Sequence, residues 1–489
     1  SVSVLLLYNQ RNYDDGDQVP YRTQGFAGRA AYTYADRYIA EFNFGYNGSE
    51  NFAKGNRFGF FPSIAAGWIV SEEEFMRPVQ NYINKLKLRA SYGLAGNDRF
   101  YNDDGSQKRF AYITTIGSTD GYKWGNSNAF YEKGGLREGD PGVESLTWET
   151  VKKANVGIEL GLFKMAELQV DFFHERREDI FMQRKNIPSS AGFPSAPWAN
   201  YGIVTNKGFD ISLDLNKQIN KDWFISARAS VTYAKNKIIE QDEDLGVLGT
   251  YRSSTGKPVG QIFGLVNDGL YTEADFEDVT TGKLKPGLPV PKFSDRVYPG
   301  DIKYLDLNGD NEITETDKTA IGGTVNPELV YGFGINLSYK NIDFGAFFQG
   351  NGRTYRIIGE NQKNFLPGST IGAEGNIFTN ASDAWTVDNP SQDVFYPRLH
   401  MGYNANNAQV SDWWLKDMSM LRLKNVELGY SFSKNLIKKA AMEYARIFVR
   451  GTNLLQFSKF DLWDPELNTS NGLKYPIMAT YSIGLQVRF

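Results

Sequence analysis

The feature that most limits what this chain can become is a two-residue alternation of apolar and polar side chains, sustained over segments longer than ordinary strands. Tyr481, Ile483, Leu485, Val487 and Phe489 alternate with Ser482, Gly484, Gln486 and Arg488. Leu86, Leu88, Ala90, Tyr92 and Leu94 oppose Lys87, Arg89, Ser91 and Gly93, and Tyr331, Phe333, Ile335, Leu337 and Tyr339 repeat the pattern. Successive side chains of a strand point to opposite faces, so each segment has one apolar and one polar face. No segment shows helical periodicity of comparable strength.

About fourteen such strands are expected, near 2–12, 24–35, 37–49, 57–71, 84–98, 147–163, 165–180, 203–219, 221–238, 328–341, 342–356, 417–433, 443–457 and 477–489. Most run about 11 to 17 residues, against a usual ~5–6. A tilted strand needs ~9–11 residues to cross the hydrocarbon of a bilayer. The connections alternate as well. Tyr34–Arg37, Phe163–Met165, Lys217–Lys221 and Lys340–Asn341 read as tight turns, while 97–146, 180–202, 239–327 and 357–416 are long polar excursions. Short turns on one rim and long loops on the other are the mark of outer-membrane barrels. The expected fold class is all-β, a transmembrane antiparallel β-barrel with long extracellular loops and short periplasmic turns.

Composition narrows the function. There is no cysteine, hence no disulfide scaffold, thiolate site or cysteine nucleophile. His174 and His400 are the only histidines, too few for a histidine-built zinc site. A formal charge of −4 gives no basic face for nucleic acid. No run of 18 apolar residues exists for a transmembrane helix, which leaves a β-barrel open. The 14% aromatic fraction suits the rings that girdle membrane interfaces. The opening residues, Ser1 to Leu7, lack the initiator Met, basic region and cleavage site of a signal peptide and read as mid-strand.

Several runs then become specific. Phe61–Glu73 (FPSIAAGWIVSEE), Leu86–Gly93 (LKLRASYG), Leu146–Glu149 (LTWE), Asn206–Asp210 (NKGFD) and Pro299–Tyr304 (PGDIKY) lie in order along the chain. Trp414–Asp417, Leu421–Asn425, Asp464–Glu466 and the final Phe489 follow them. Together they resemble the SusC/RagA family of TonB-dependent outer-membrane transporters. The resemblance implies a 22-stranded barrel around a plug, energised through TonB, capped by a SusD-like lipoprotein and importing oligosaccharides or peptides. Residues 1–489 would then be the C-terminal part of the barrel. The plug and first strands would lie outside this sequence, and Val2–Asn12 would be expected to pair with one of the missing strands.

Three sets of residues carry candidate chemistry. Asp306-Leu307-Asn308-Gly309-Asp310-Asn311-Glu312 through Asp317 reads as a twelve-residue calcium loop. Its ligands would be Asp306, Asn308, Asp310, the Glu312 carbonyl and Asp317, holding a structural Ca²⁺ in an extracellular loop. Asn311 replaces the usual glycine and Asp317 the usual glutamate. Trp124, Trp198 and Trp385 are candidates for stacking on substrate sugar rings; the bland alternative is girdle or loop packing, and Trp413 and Trp414, at the start of a strand, read as girdle. Phe489 resembles the terminal signal of barrel assembly. Polar-face residues such as Lys87, Arg89, Glu159, Asp210, Asp214 and Arg228 would line the lumen.

The leading function is a nutrient importer in the outer membrane of a Gram-negative bacterium, with lipid around it and no catalytic residues. The competing readings are a secreted β-rich carbohydrate-binding protein or glycosidase, and a passive porin. No local motif selects a catalytic pair from the 57 acidic residues.

Overall fold

A computed structural model describes the chain except residues 15, 17, 18, 103, 127, 128, 194, 360–365, 368–378, 439 and 440. Fourteen strands form one antiparallel sheet whose order follows the chain. They are β1 (Val2–Tyr13), β2 (Tyr21–Tyr34), β3 (Tyr38–Ser49), β4 (Phe58–Ile69), β5 (Ile83–Asn97), β6 (Glu149–Leu162) and β7 (Ala166–Gln183). The series continues with β8 (Trp198–Gln218), β9 (Trp223–Glu240), β10 (Leu329–Tyr339), β11 (Ile342–Gly352), β12 (Met420–Ser431), β13 (Tyr444–Ser458) and β14 (Thr480–Arg488). All fourteen overlap the segments that the alternation marks, β8 starting five residues earlier. The chain divides into two compact units: Ser1–Asn216 with Thr232–Leu248 and Thr255–Lys257, and Lys217–Val231 with Gly249–Ser254 and Pro258–Phe489.

In the first unit the registers bring apolar residues together on one face. Phe26 lies opposite Tyr46, Phe42 opposite Ile64, Ile64 opposite Tyr92, and Val156 between Ala90 and Phe172. These side chains stay exposed, Ile64 at 59% and Phe172 at 56%. A continuous apolar surface of this extent would be a liability in water. Against hydrocarbon it is the favourable face, and the ladders satisfy the backbone polar groups that lipid cannot. The second unit repeats the pattern, with Phe333 opposite Phe348, Phe344 opposite Leu428, and Val449 between Leu428 and Ile483. β1 stands at one end of the strand order and is exposed along its whole length; β14 stands at the other.

The tight turns depend on left-handed backbone without glycine. Ala35 and Asp36 (φ 50° and 55°) close β2–β3, and Phe163 and Lys164 (φ 53° and 55°) close β6–β7. Positive φ at the central residues matches the twist of hairpin strands. At the opposite strand ends the long connections are not simply polar excursions. Leu265, Ile302, Tyr304, Ile313, Tyr396 and Trp414 are buried together and form the core of the second unit. In the first unit Phe52, Phe100, Leu146, Trp148 and Phe181 do the same. With the apolar strand face turned to lipid, water-driven burial is left to the loops. The segment between β5 and β6 also holds a freestanding hairpin, Ile116–Asn126 with Ala129–Glu138, which its weak alternation did not announce.

Candidate functional site

The polar strand faces carry a lattice of paired charges. On β5, Lys85 and Lys87 reach Glu159 of β6 at 3.0 and 3.3 Å. Arg89 lies 3.4 Å from Glu159 and donates to Asp171 of β7 at 2.6 Å. Gln169 donates to the same Asp171 at 3.0 Å. The second unit has its own set: Arg446 of β13 binds Asp343 of β11 through two donors and Glu427 of β12 at 2.6 Å, while Arg450 reaches Glu427 at 2.5 Å. Partly hydrated pairs of this kind contribute only ~0–1 kcal/mol each. Their larger effect is to cancel charge along the face.

Of the polar-face residues read from the alternation, Lys87, Arg89 and Glu159 join this lattice, and Asp210 accepts from Thr232 at 2.7 Å. Asp171, Asp343, Glu427 and Arg446 were missed. Their signal is complementary charge at register-matched positions, visible only once the pairing is known.

Above the strands, buried and half-buried carboxylates fasten the loops. Asp242, just past β9, accepts from Arg184 Nε at 2.7 Å, the Lys185 N–H at 2.7 Å and the Asn186 amide at 2.8 Å. Burial pushes its carboxyl up, but these donors outweigh it and hold the pKa at about 2. Asp301, fully buried, accepts from His400 Nε2 at 2.5 Å, the Asn407 amide at 2.9 Å and the Tyr298 N–H at 2.9 Å. Asp140 pairs with Lys108 and accepts from the Ser195 hydroxyl at 2.7 Å; these two donors, Lys108 foremost, hold it below the usual carboxylate range. Burial pushes the Tyr304 hydroxyl up and the Lys416 ammonium down, and lifts Tyr396 to about 12.

The calcium-like loop is ordered by its own backbone. Asp306 accepts from the Gly309 and Asn311 N–H groups at 2.6 and 2.8 Å, Asn308 from Asp310 at 2.9 Å, and Asp310 from Glu312 at 2.8 Å. Asn311 adopts φ 63°, the left-handed conformation usually taken there by glycine. Asp317 is fully buried and accepts from Leu307 and Thr314 at 2.9 and 2.8 Å, capping the turn 315–317. The Glu312 side chain pairs with Lys292 at 2.9 Å. Among the described residues no group of three or more His, Cys, Asp or Glu is placed to hold a metal ion.

The three tryptophans have different settings. Trp124 lies on the freestanding hairpin, 46% exposed, between Tyr122 and Tyr131 at 5.6 and 4.7 Å. Trp198, in the same unit, stacks on Phe181 at 4.5 Å with Lys108 over its ring at 4.8 Å. Trp385 belongs to the second unit and is buried in the loop core, its indole filling the space beside Gly300. Trp414 is also core, donating to the Asn407 carbonyl at 2.8 Å rather than standing at an interface. Phe489 follows β14 and is 80% exposed.

Comparison with known proteins places this geometry. No protein-family model matches the chain. TonB-dependent receptor P26 of Formosa agariphila is 30% identical over 506 residues, 98% of this chain and 47% of that protein. TonB-dependent receptor SusC of Bacteroides thetaiotaomicron is 25% identical over 500 residues, 99% of this chain and 46% of SusC. The chain is a relative of the SusC-like TonB-dependent receptors. Among solved structures, the RagAB peptide transporter superposes with a TM-score of 0.71 at 22% identity, over 96% of this chain and 47% of that one. The SusC-like chain thus has the strand fold of an outer-membrane β-barrel, and its exposed apolar face is the one that meets lipid. It spans about half the length of the curated relatives it matches.

Proposed function

We propose that this chain forms wall and surface loops of an outer-membrane active transporter that imports oligosaccharides or other large nutrients. A SusD-like lipoprotein would serve as lid and TonB would couple the energy. The observation that carries the reading is the polar strand face: its charges are paired with one another while the opposite face is apolar and exposed. A wall with that division separates lipid from a wet passage. The SusC and TonB-dependent receptor relatives support the energy-coupled lineage over a porin, and their naming as receptors supports a non-enzymatic protein. The test is uptake of a fluorescent oligosaccharide by cells with and without the gene. Import that disappears both on deletion and on collapse of the proton-motive force is expected. Import that survives the collapse would assign the chain to a passive porin.

Peptide cargo is the second reading, supported by the superposition on a transporter named for peptides. Competition of the labelled glycan by mixed peptides decides between them. For cargo contacts we favour Trp124, whose ring is exposed beside two tyrosines; Trp198, stacked on Phe181 with Lys108 over its ring, and Trp385, buried in the loop core, are the weaker candidates. We also assign the Asp306–Asp317 loop to a structural Ca²⁺. An ionised carboxylate has about four lone-pair sites, so Asp306 and Asp310 keep acceptor capacity beyond their N–H bonds. Asp306, Asn308, Asp310 and the Glu312 carbonyl would hold the ion, with Asp317 bracing the loop from behind. Bound there, the ion would stiffen the loop.

A further inference from the structure

We infer that one face of the freestanding hairpin, Ile116–Asn126 with Ala129–Glu138, binds oligosaccharides that carry carboxylates, the uronate sugars. This deepens the reading of the chain as an importer of oligosaccharides and rests on it. Tyr122 stands opposite Lys133 and Trp124 opposite Tyr131, so these four side chains share a face. The rings form one row, Tyr122 to Trp124 at 5.6 Å and Trp124 to Tyr131 at 4.7 Å. All three are exposed. The pairs Thr119–Gly135 and Gly117–Arg137 continue the same face, which puts Arg137 about 13 Å along the strand from Lys133. Between the rings and Arg137 the face carries only Gly117, Thr119 and Gly135, and a Cβ on Gly117 would meet nothing within 4 Å. That strip is open.

Charge selects an anionic sugar over a neutral one. The ring face holds two cations, Lys133 and Arg137, and no acidic residue. The other face holds Glu132, Glu138 and Lys123, and Asp120 sits in the bulge that opposes Gly134 there. Lys123 is neutralised by Glu132 at 3.2 Å. Among the described residues, Lys133 and Arg137 have no hydrogen-bond or ion-pair partner. A sugar ring can lay its C–H face on the aromatic row, and its carboxylates then meet an ammonium and a guanidinium fork. A peptide is the poorer occupant. The backbone groups of this face are spent within the hairpin, so an extended chain finds no run of donors and acceptors on it.

The test is calorimetric titration of the protein, extracted from its outer membrane in detergent. The ligands are oligogalacturonate, the same chain after reduction of its carboxyl groups, and oligoglutamate. Wild type should bind oligogalacturonate about tenfold more tightly than the neutral chain, and added salt should narrow that gap. K133Q/R137Q should close the gap, while W124A should weaken both sugars alike. Heat-modifiable migration checks that each variant is folded; if the double variant is not, K133Q alone should cost about fivefold. The inference is overturned by equal binding of the two sugars to wild type, by binding of neither, or by folded variants that behave as wild type. Oligoglutamate bound as tightly as oligogalacturonate also overturns it and assigns the face to peptides. Uptake is scored separately. Import that survives collapse of the proton-motive force would overturn the transporter reading, while a preference lost in K133Q/R137Q would still uphold the anionic sugar site.

Discussion

Arg89 on β5 holds Asp171 on β7 at 2.6 Å across the whole width of β6, passing over Gly157. Gly157 stands in register with both residues, and a methyl there would lie 2.5 Å from Asp171 Oδ1 and 2.8 Å from Arg89 Nε. The second unit repeats the device. Arg446 on β13 passes over Gly429 on β12 to Asp343 on β11, and a Cβ on Gly429 would land on the guanidinium. Each glycine is the gap through which two charges meet.

Gly157→Val should break the first bridge and overpack the polar face, at about 1–3 kcal/mol. The temperature at which the barrel loses heat-modifiable migration should fall by several degrees. Gly134→Ala serves as control, since a Cβ there meets nothing within 4 Å. Equal behaviour of the two variants would show that the bridge is dispensable.

Asp242 predicts an acid-labile loop. Its folded pKa of about 2 lies below its ordinary 3.8, so its stabilising contribution is complete above about pH 4 and drains away as pH falls towards 2. Proteolysis of the 184–197 segment by an acid protease should rise across that window. Asp242→Asn should make cleavage fast and nearly pH-independent there.

Gly300 has φ +91° and its missing side chain makes room for the Trp385 ring. Gly300→Ala should therefore loosen the loop core by about 2 kcal/mol or more, through strain and overpacking together. Hydrogen exchange should rise at Tyr304 and Tyr396 while the strand ladders keep their protection. Protection unchanged at both tyrosines would count against that packing.

The calcium assignment has a direct check in amide protection across 306–317. Chelator should lower it in wild type, and Asp306→Ala with Asp310→Ala should remove the chelator response. Protection indifferent to chelator in wild type would sink the assignment.

How much of this was legible in the sequence follows from the range of the interaction concerned. Strands such as Tyr38–Ser49 and Ile83–Asn97 are visible because alternation is local, and a face turned to lipid tolerates few exceptions. The Arg89–Gly157–Asp171 bridge was not legible, because it joins residues 82 positions apart through a register that no single strand encodes. The loop cores escaped for another reason: Leu265 and Tyr396 are buried from isolated bridges and Ile302 from a three-residue strand, too short to leave a period to read. Trp198 shows both limits. Its strand starts five residues earlier than the alternation suggests, and its ring partner Phe181 sits on β7.

The glycine-bridged pairs bear on what a passing solute would feel. A free arginine on such a wall would grip an acidic sugar, and a free aspartate would grip a lysine side chain. With Arg89 already committed to Asp171 and Arg446 to Asp343, the polar face presents charges that are paired with one another. In the proposed importer, friction against charged solutes of either sign would thereby be low, and the choice of what enters would be left to the rings and carboxylates of the loops.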